Sequence, residues 1–193
     1  MEKDREATEQ RLIAAMGELI EEKGFEKVGV NAVAERAGVS KMLIYRYFNS
    51  LDGLIYAYIQ KNDFWTNPPA NYPPPPELKD YLKKMIRNQI RQLRKDIPLK
   101  RLRQWELSTH NPMVKELFEK REAGGMELVQ FISGFSTVSK DNIAALATLI
   151  NSSITYLILL EENFPVYNGI PIQTDEGWEK IAEGIDYIIN LLY

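Results

Sequence analysis

Along residues 7–23 the apolar side chains Ala7, Leu12, Ile13, Met16, Leu19 and Ile20 recur near every third or fourth position, the spacing of one face of a helix. Gly24 follows as a stop signal, and Phe25 and Val28 supply apolar anchors beyond it. A short second helix is predicted over residues 30–37, with Val30, Val33, Ala34 and Ala37 facing inward. Gly38 and Val39 form the next turn, and Ser40 stands where a hydroxyl can cap the free amides opening a third helix over 41–48. Two short helices joined by a glycine-containing turn make a helix-turn-helix unit. A fourth helix is predicted from near Ser50 to about Lys61, with Leu51, Leu54, Ile55 and Tyr58 on one face.

Residues 66–76 cannot continue that helix, because successive prolines remove backbone donors and clash with the preceding turn. They read as a rigid spacer, with an exposed peptide for a polyproline-reading partner as the other possibility. Beyond them the pattern is helical throughout. Tyr81, Leu82, Met85, Ile86, Ile90 and Leu93 form a stripe, Pro98 restarts the helix, and Asn111-Pro112 breaks it again. Long helices are predicted over 113–133, 140–161 and 176–192. The expected fold is all-α, of about nine helices. A three-helix head containing the helix-turn-helix occupies residues 1–49, and a larger helical domain, with its proline-rich linker loop at 66–76, occupies 50–193.

Composition narrows the function. The chain has 193 residues, no cysteine and one histidine, so disulfides, thiol catalysis and thiolate or multi-histidine metal sites are excluded within one chain. There is no glycine-rich phosphate loop, and the carboxylates sit on periodic polar faces, so no enzyme, cofactor or metal is expected. The opening residues are too charged for a signal peptide, and the most apolar stretch, 143–160, is interrupted by Thr148, Asn151, Ser152, Ser153 and Thr155. That stretch reads as a buried interface helix, and the protein as cytoplasmic with no membrane partner. A net charge of -3 argues against broad basic adhesion to nucleic acid. Between Arg36 and Phe48, however, Arg36, Lys41 and Arg46 face no acidic residue, which suits a small, focused DNA contact.

A recognition helix packs one face on its neighbours and turns the other to base edges. Ile44 and Phe48, one turn apart, are the inward pair, leaving Lys41, Met42, Tyr45 and Arg46 outward. Lys41 and Arg46 suit guanine O6 and N7, Met42 suits a thymine methyl, and the Tyr45 hydroxyl suits a phosphate. The segments Gly24-Phe25, Val33 to Ser40, Ile44-Tyr45-Arg46-Tyr47-Phe48, and Ser50 with Leu54 resemble the DNA-binding region of the TetR family of bacterial regulators over residues 8–56. The resemblance implies phosphate contacts from Ser40, Tyr45 and Tyr47, and a base or phosphate contact from Asn31 at the start of the second helix. Gly29 and Leu51 depart from the family's usual threonine and lysine, which shifts the expected affinity toward Lys41 and Arg46.

One head covers few base pairs, so specificity calls for two heads on a double-stranded palindromic operator, hence a homodimer. The candidate interface combines Ile143, Ala147, Ile150, Ile154 and Leu157 on one late helix with Trp178, Ile181, Ile185 and Ile188 on the last. The resemblance further implies a repressor released when a small hydrophobic or aromatic effector binds the body. Candidate lining residues are Tyr81, Met85, Gln89 and Trp105, together with His110, Phe118, Met126 and Tyr156. Between Lys79 and Arg103 ten basic residues face only Asp80 and Asp96, and this row is expected to be a solvated face, with Arg87, Arg91 or Arg94 turned toward an anionic effector or nearby DNA as the other reading. Two alternatives stay open: a ligand-responsive activator, and a DNA-independent helical adaptor for protein partners.

Overall fold

The computed structural model describes residues 2–62 and 71–192. They form α1 (Glu2–Lys23), a short 3₁₀ turn (Phe25–Lys27), α2 (Val30–Ala37), α3 (Met42–Phe48), α4 (Leu51–Asn62) and α5 (Pro75–Lys95). The remainder are α6 (Ile97–Glu106), α7 (Pro112–Ser133), α8 (Lys140–Leu160) and α9 (Asp175–Asn190). The all-helical class is as expected from the pattern. Among the described residues the sole β feature is an isolated bridge between Tyr167 and Ile170, closing a tight turn over Asn168 and Gly169.

The proline run behaves differently from a spacer at its end. Residues 66–70 lie outside the described residues, while Pro75 and Pro76 open α5. A proline fits the first turn of a helix because the amide it lacks would have no partner there, and its fixed φ is already helical.

Two compact units emerge, Met1–Asn67 with Ile97–Lys120, and Pro68–Asp96 with Arg121–Tyr193. Compactness therefore divides the chain otherwise than at residue 49: α4, α6 and the start of α7 belong to the unit that contains the head.

In the first unit α1 is central and packs on α2, α4 and α6. Its Leu12, Met16, Leu19 and Ile20 are at most 2% exposed, so each contributes roughly 1.5–3 kcal/mol of apolar burial. At Gly17 a β-carbon would lie 2.8 Å from the Tyr58 ring, so the approach of α1 to α4 uses a residue without a side chain. The Phe25 ring stacks on Trp105 at 5.1 Å with the planes within 2°, joining the 3₁₀ turn to α6. Asn111 caps α7, its side-chain oxygen accepting the Met113 amide at 2.8 Å.

In the second unit α5 packs on α8 and α9, burying Leu78, Leu82, Met85, Ile86, Ile90 and Leu93. Ser139 caps α8 by accepting the Asn142 amide, and Thr174 caps α9 by accepting the Gly177 amide. The basic row on α5 is no plain solvated face. Arg87 donates to Glu179 and Asp186 at 2.7–2.9 Å, and Arg94 donates to buried Glu161 at 2.9 Å and to Asp175. The acids that neutralise these arginines lie 67 to 99 residues away in the chain, beyond the reach of any local charge count.

Candidate nucleic-acid interface

The helix-turn-helix is built from backbone chemistry first. Gly29 is extended at the N-cap of α2, and Val33, Ala34 and Ala37 are buried. Gly38 then takes a left-handed conformation, φ 64°, in which a side chain would cost about 1–2 kcal/mol. Its amide donates to the Glu35 carbonyl and that of Val39 to the Ala34 carbonyl at 3.0 Å, closing the end of α2. α3 starts one residue later than expected, at Met42 with Lys41 as its N-cap; Ser40 sits just before it, its hydroxyl oxygen accepting the Met42 amide at a long 3.4 Å and its carbonyl the Leu43 amide at 3.0 Å. Ile44 is fully buried and seats α3 on the head. Asn49 ends α3 at φ 65°, and the Ser50 hydroxyl accepts the Gly53 amide at 2.9 Å, starting α4.

An exposed ion-pair cluster adds to the apolar packing of α2 on α1. The Arg36 guanidinium donates to both oxygens of Glu22 at 2.8 Å and to Glu18 at 3.1 Å. Hydrogen bonding to Arg36 holds the Glu22 carboxyl below its ordinary value, and the same bonds raise Arg36 further. Arg36 is thus a structural clamp, and the three cations counted along 36–48 reduce to Lys41 and Arg46 for an outside partner.

On α3 the outward face is as the spacing predicts. Met42 is 67% and Tyr45 48% exposed, Lys41, Arg46 and Ser40 are exposed, and so is Asn31 on α2. Tyr47 is half-buried, and the Arg5 guanidinium of α1 lies over its ring at 5.2 Å. The pattern of α1 gave no sign of Arg5, because its neighbour comes from a helix forty residues away.

The effector candidates divide. Trp105, His110 and Phe118 belong to the first unit, and Tyr81, Met85, Gln89, Met126 and Tyr156 to the second. His110, Phe118, Met126 and Tyr156 are exposed, Tyr81 is half-buried, and Met85 and Gln89 are buried on α5. Gln89 donates to the Asn151 side chain at 3.3 Å while its own oxygen has no partner. Of the eight, Trp105 lines a cavity of about 440 Å³ between the end of α1 and α6. A second cavity, about 500 Å³, lies between α5 and α9 beside Arg91, Arg94 and Trp178.

The expected dimer stripe also needs revision. Ile143, Ile154, Trp178 and Ile185 are buried inside the protomer, and Ala147, Ile150, Leu157, Ile181 and Ile188 are half-buried. The outward apolar side chains of the same helices are Leu149 and Tyr156 on α8 and Tyr187 on α9, with Leu191 just beyond it. α8 is apolar on more than one side, so periodicity alone selects the side that packs on α5.

Among the described residues the head is thus a buried helix-turn-helix scaffold with one exposed face, the architecture of a DNA-binding domain. Residues 12–58 match the family described as bacterial regulatory proteins, tetR family. The head is a tetR-family DNA-binding domain, and the rest of the chain carries the fold of these regulators. NalD of Pseudomonas aeruginosa, described as the secondary repressor of the MexAB-OprM multidrug efflux pump, is similar with a TM-score of 0.63 at 18% identity, over 94% of this chain and 97% of that one. The fatty acid degradation regulator FadR of Bacillus halodurans is similar with a TM-score of 0.63 at 16% identity, over 94% of each chain. GusR of Salmonella enterica is similar with a TM-score of 0.61 at 16% identity, over 96% of this chain and 95% of that one. No curated protein matches the sequence.

Proposed function

We propose that the protein is a cytoplasmic homodimeric repressor that binds a palindromic operator and releases it when a small hydrophobic or aromatic molecule binds. The observation that carries the DNA half is the outward face of α3, where Lys41, Met42, Tyr45 and Arg46 stand exposed on a helix seated by the buried Ile44. Cationic donors suit guanine edges, a thioether suits a thymine methyl, and flanking hydroxyls suit phosphates. Asn31, Ser40 and Tyr47 complete the contact set.

The dimer is supported by α8. It is long and apolar enough to cross a membrane, yet only 17% of its most apolar window is buried in the protomer. A second copy of the chain covers this face through Leu149, Tyr156, Tyr187 and Leu191, since a palindrome is read by two heads related by a twofold axis. For the effector half the structure offers room only: hollows of about 440 and 500 Å³ match small-molecule sites in volume, but they open to solvent and are lined largely by charged side chains, with Phe25 and Trp105 in one and Ile90 and Trp178 in the other as the apolar surface. An effector acts by binding the DNA-incompetent state more tightly, which shifts the population away from the bound form. NalD's description as a repressor agrees with the negative sign of regulation.

The test is selection of bound duplexes from a random DNA library at physiological salt. Enrichment of a palindrome with two evenly spaced half-sites is expected. Folded, effector-free protein that enriches no sequence would refute the repressor reading in favour of an adaptor.

A further inference from the structure

We propose that the hollow between α5 and α9 binds an amphipathic carboxylate: a small organic acid whose apolar or aromatic body lies on Ile90, Trp178 and Ala182 while its carboxylate meets Arg91, Lys95 and the Arg94 guanidinium. The site gives the effector proposed above a chemical class, and it rests on that reading only for its consequence at the operator.

Two facing stripes make the hollow. Residues three and four apart share a helix face, and Arg87, Ile90, Arg91, Arg94 and Lys95 form such a row on α5, opposite Asp175, Trp178, Glu179 and Ala182 on α9. Ile90, Trp178 and Ala182 are at most 4% exposed and supply an apolar floor. The four cations of the lining outnumber its two acids. Arg87 is held by Glu179 and Asp186. Arg91 donates to neutral acceptors, the Asn88 side chain at 2.6 Å and the Arg87 carbonyl at 3.4 Å, which leaves its charge uncompensated, and Lys95 stands exposed one turn further on. Arg94 lies over the Trp178 ring at 5.6 Å, with Glu161 on its Nε and Asp175 on one Nη. The Arg94 side chain is 16% exposed, whereas that of Asp175 is 100% exposed. An ion pair with a fully solvated partner contributes little, so an incoming carboxylate takes the place of Asp175 at small cost. The ligand class follows from this contact. The planar fork of Arg94 already takes a carboxylate here, and the floor beside it rewards an apolar body that Asp175 lacks.

Isothermal titration calorimetry of the full chain with 2-naphthoate and with octanoate, each against its neutral amide, tests the site. Saturable binding of the acids is expected, with the amides weaker by about tenfold, the size of a lost charged hydrogen bond. The double variant Arg91→Gln, Lys95→Gln keeps much of both stems at exposed positions and should erase the preference for acid over amide. Asp175→Asn should tighten binding of the acids, whereas Asp141→Asn, the same change in the first turn of α8, should leave it as it is. Inorganic phosphate, a charge without an apolar body, should not displace 2-naphthoate. Equal binding of acid and amide, a preference that survives in the double variant, equal tightening by Asp175→Asn and Asp141→Asn, or displacement by phosphate overturns the site. Absence of binding by either acid overturns it too, and leaves the effector reading to the hollow beside Trp105. Binding of the acids that passes these comparisons yet leaves operator affinity unchanged upholds the site and removes its role in release of DNA.

Discussion

At the residue scale, what matters for an outside partner is which charges are already spent. Arg36, Arg87 and Arg94 are each bound to two carboxylates, whereas Lys41 and Arg46 face outward on the head. Arg46 is therefore expected to carry base discrimination. Arg46→Gln should cost about 1–3 kcal/mol of preference for the cognate base pair, with circular dichroism and thermal midpoint unchanged. Competition between the cognate and a single-base-substituted duplex measures this, and an unaltered preference would remove Arg46 from the base contacts. The outward position of Arg46 was readable from the spacing around Ile44 and Phe48. The internal use of Arg36 was not, since Glu18 and Glu22 lie 18 and 14 residues away on another helix.

Among elements, the register of α2 against α1 is set by apolar packing together with the Arg36–Glu22–Glu18 clamp. Because the folded Glu22 carboxyl is held below its ordinary value of 4.5, its contribution is present in full above that value and is lost as pH falls through the lowered folded value. Glu22→Gln should therefore be less stable than the unaltered protein at neutral pH, and the gap should close on acidification below pH 4.5. Urea midpoints of the two proteins at neutral and acidic pH check this; a gap that persists in acid would mean the side chain acts through packing. The starts of α3 and α4 were legible near Ser40 and Ser50, whereas the capping hydroxyls of Ser139 and Thr174, each accepting an amide three residues on, emerged only in the structure. The start of α5 was hidden for the opposite reason: prolines that forbid a helix interior also suit its first turn.

For the whole molecule, association and DNA reading are expected to fail together. Leu149→Glu with Tyr187→Glu places charges on exposed apolar positions of α8 and α9, 65% and 67% exposed in the protomer, without touching the core. Sedimentation should show a monomer, and operator affinity should fall by more than tenfold while the head stays folded. A variant that remains dimeric would locate the interface elsewhere, and association with lipid vesicles by the unaltered protein would assign α8 to a membrane surface.

The sequence by itself determined most of the helices and the helix-turn-helix with its outward face, because periodicity and turn chemistry act over a few neighbouring residues. Tertiary structure decided the rest: that α6 folds with the head through Trp105 and Phe25, that Glu179 and Asp186 absorb the charge of Arg87, that Arg5 meets Tyr47, and which side of α8 stays uncovered. Each of these depends on residues brought together from distant stretches of chain. An apolar or charged spacing shows that a partner is wanted, and only the packing of separate helices settles which one it meets.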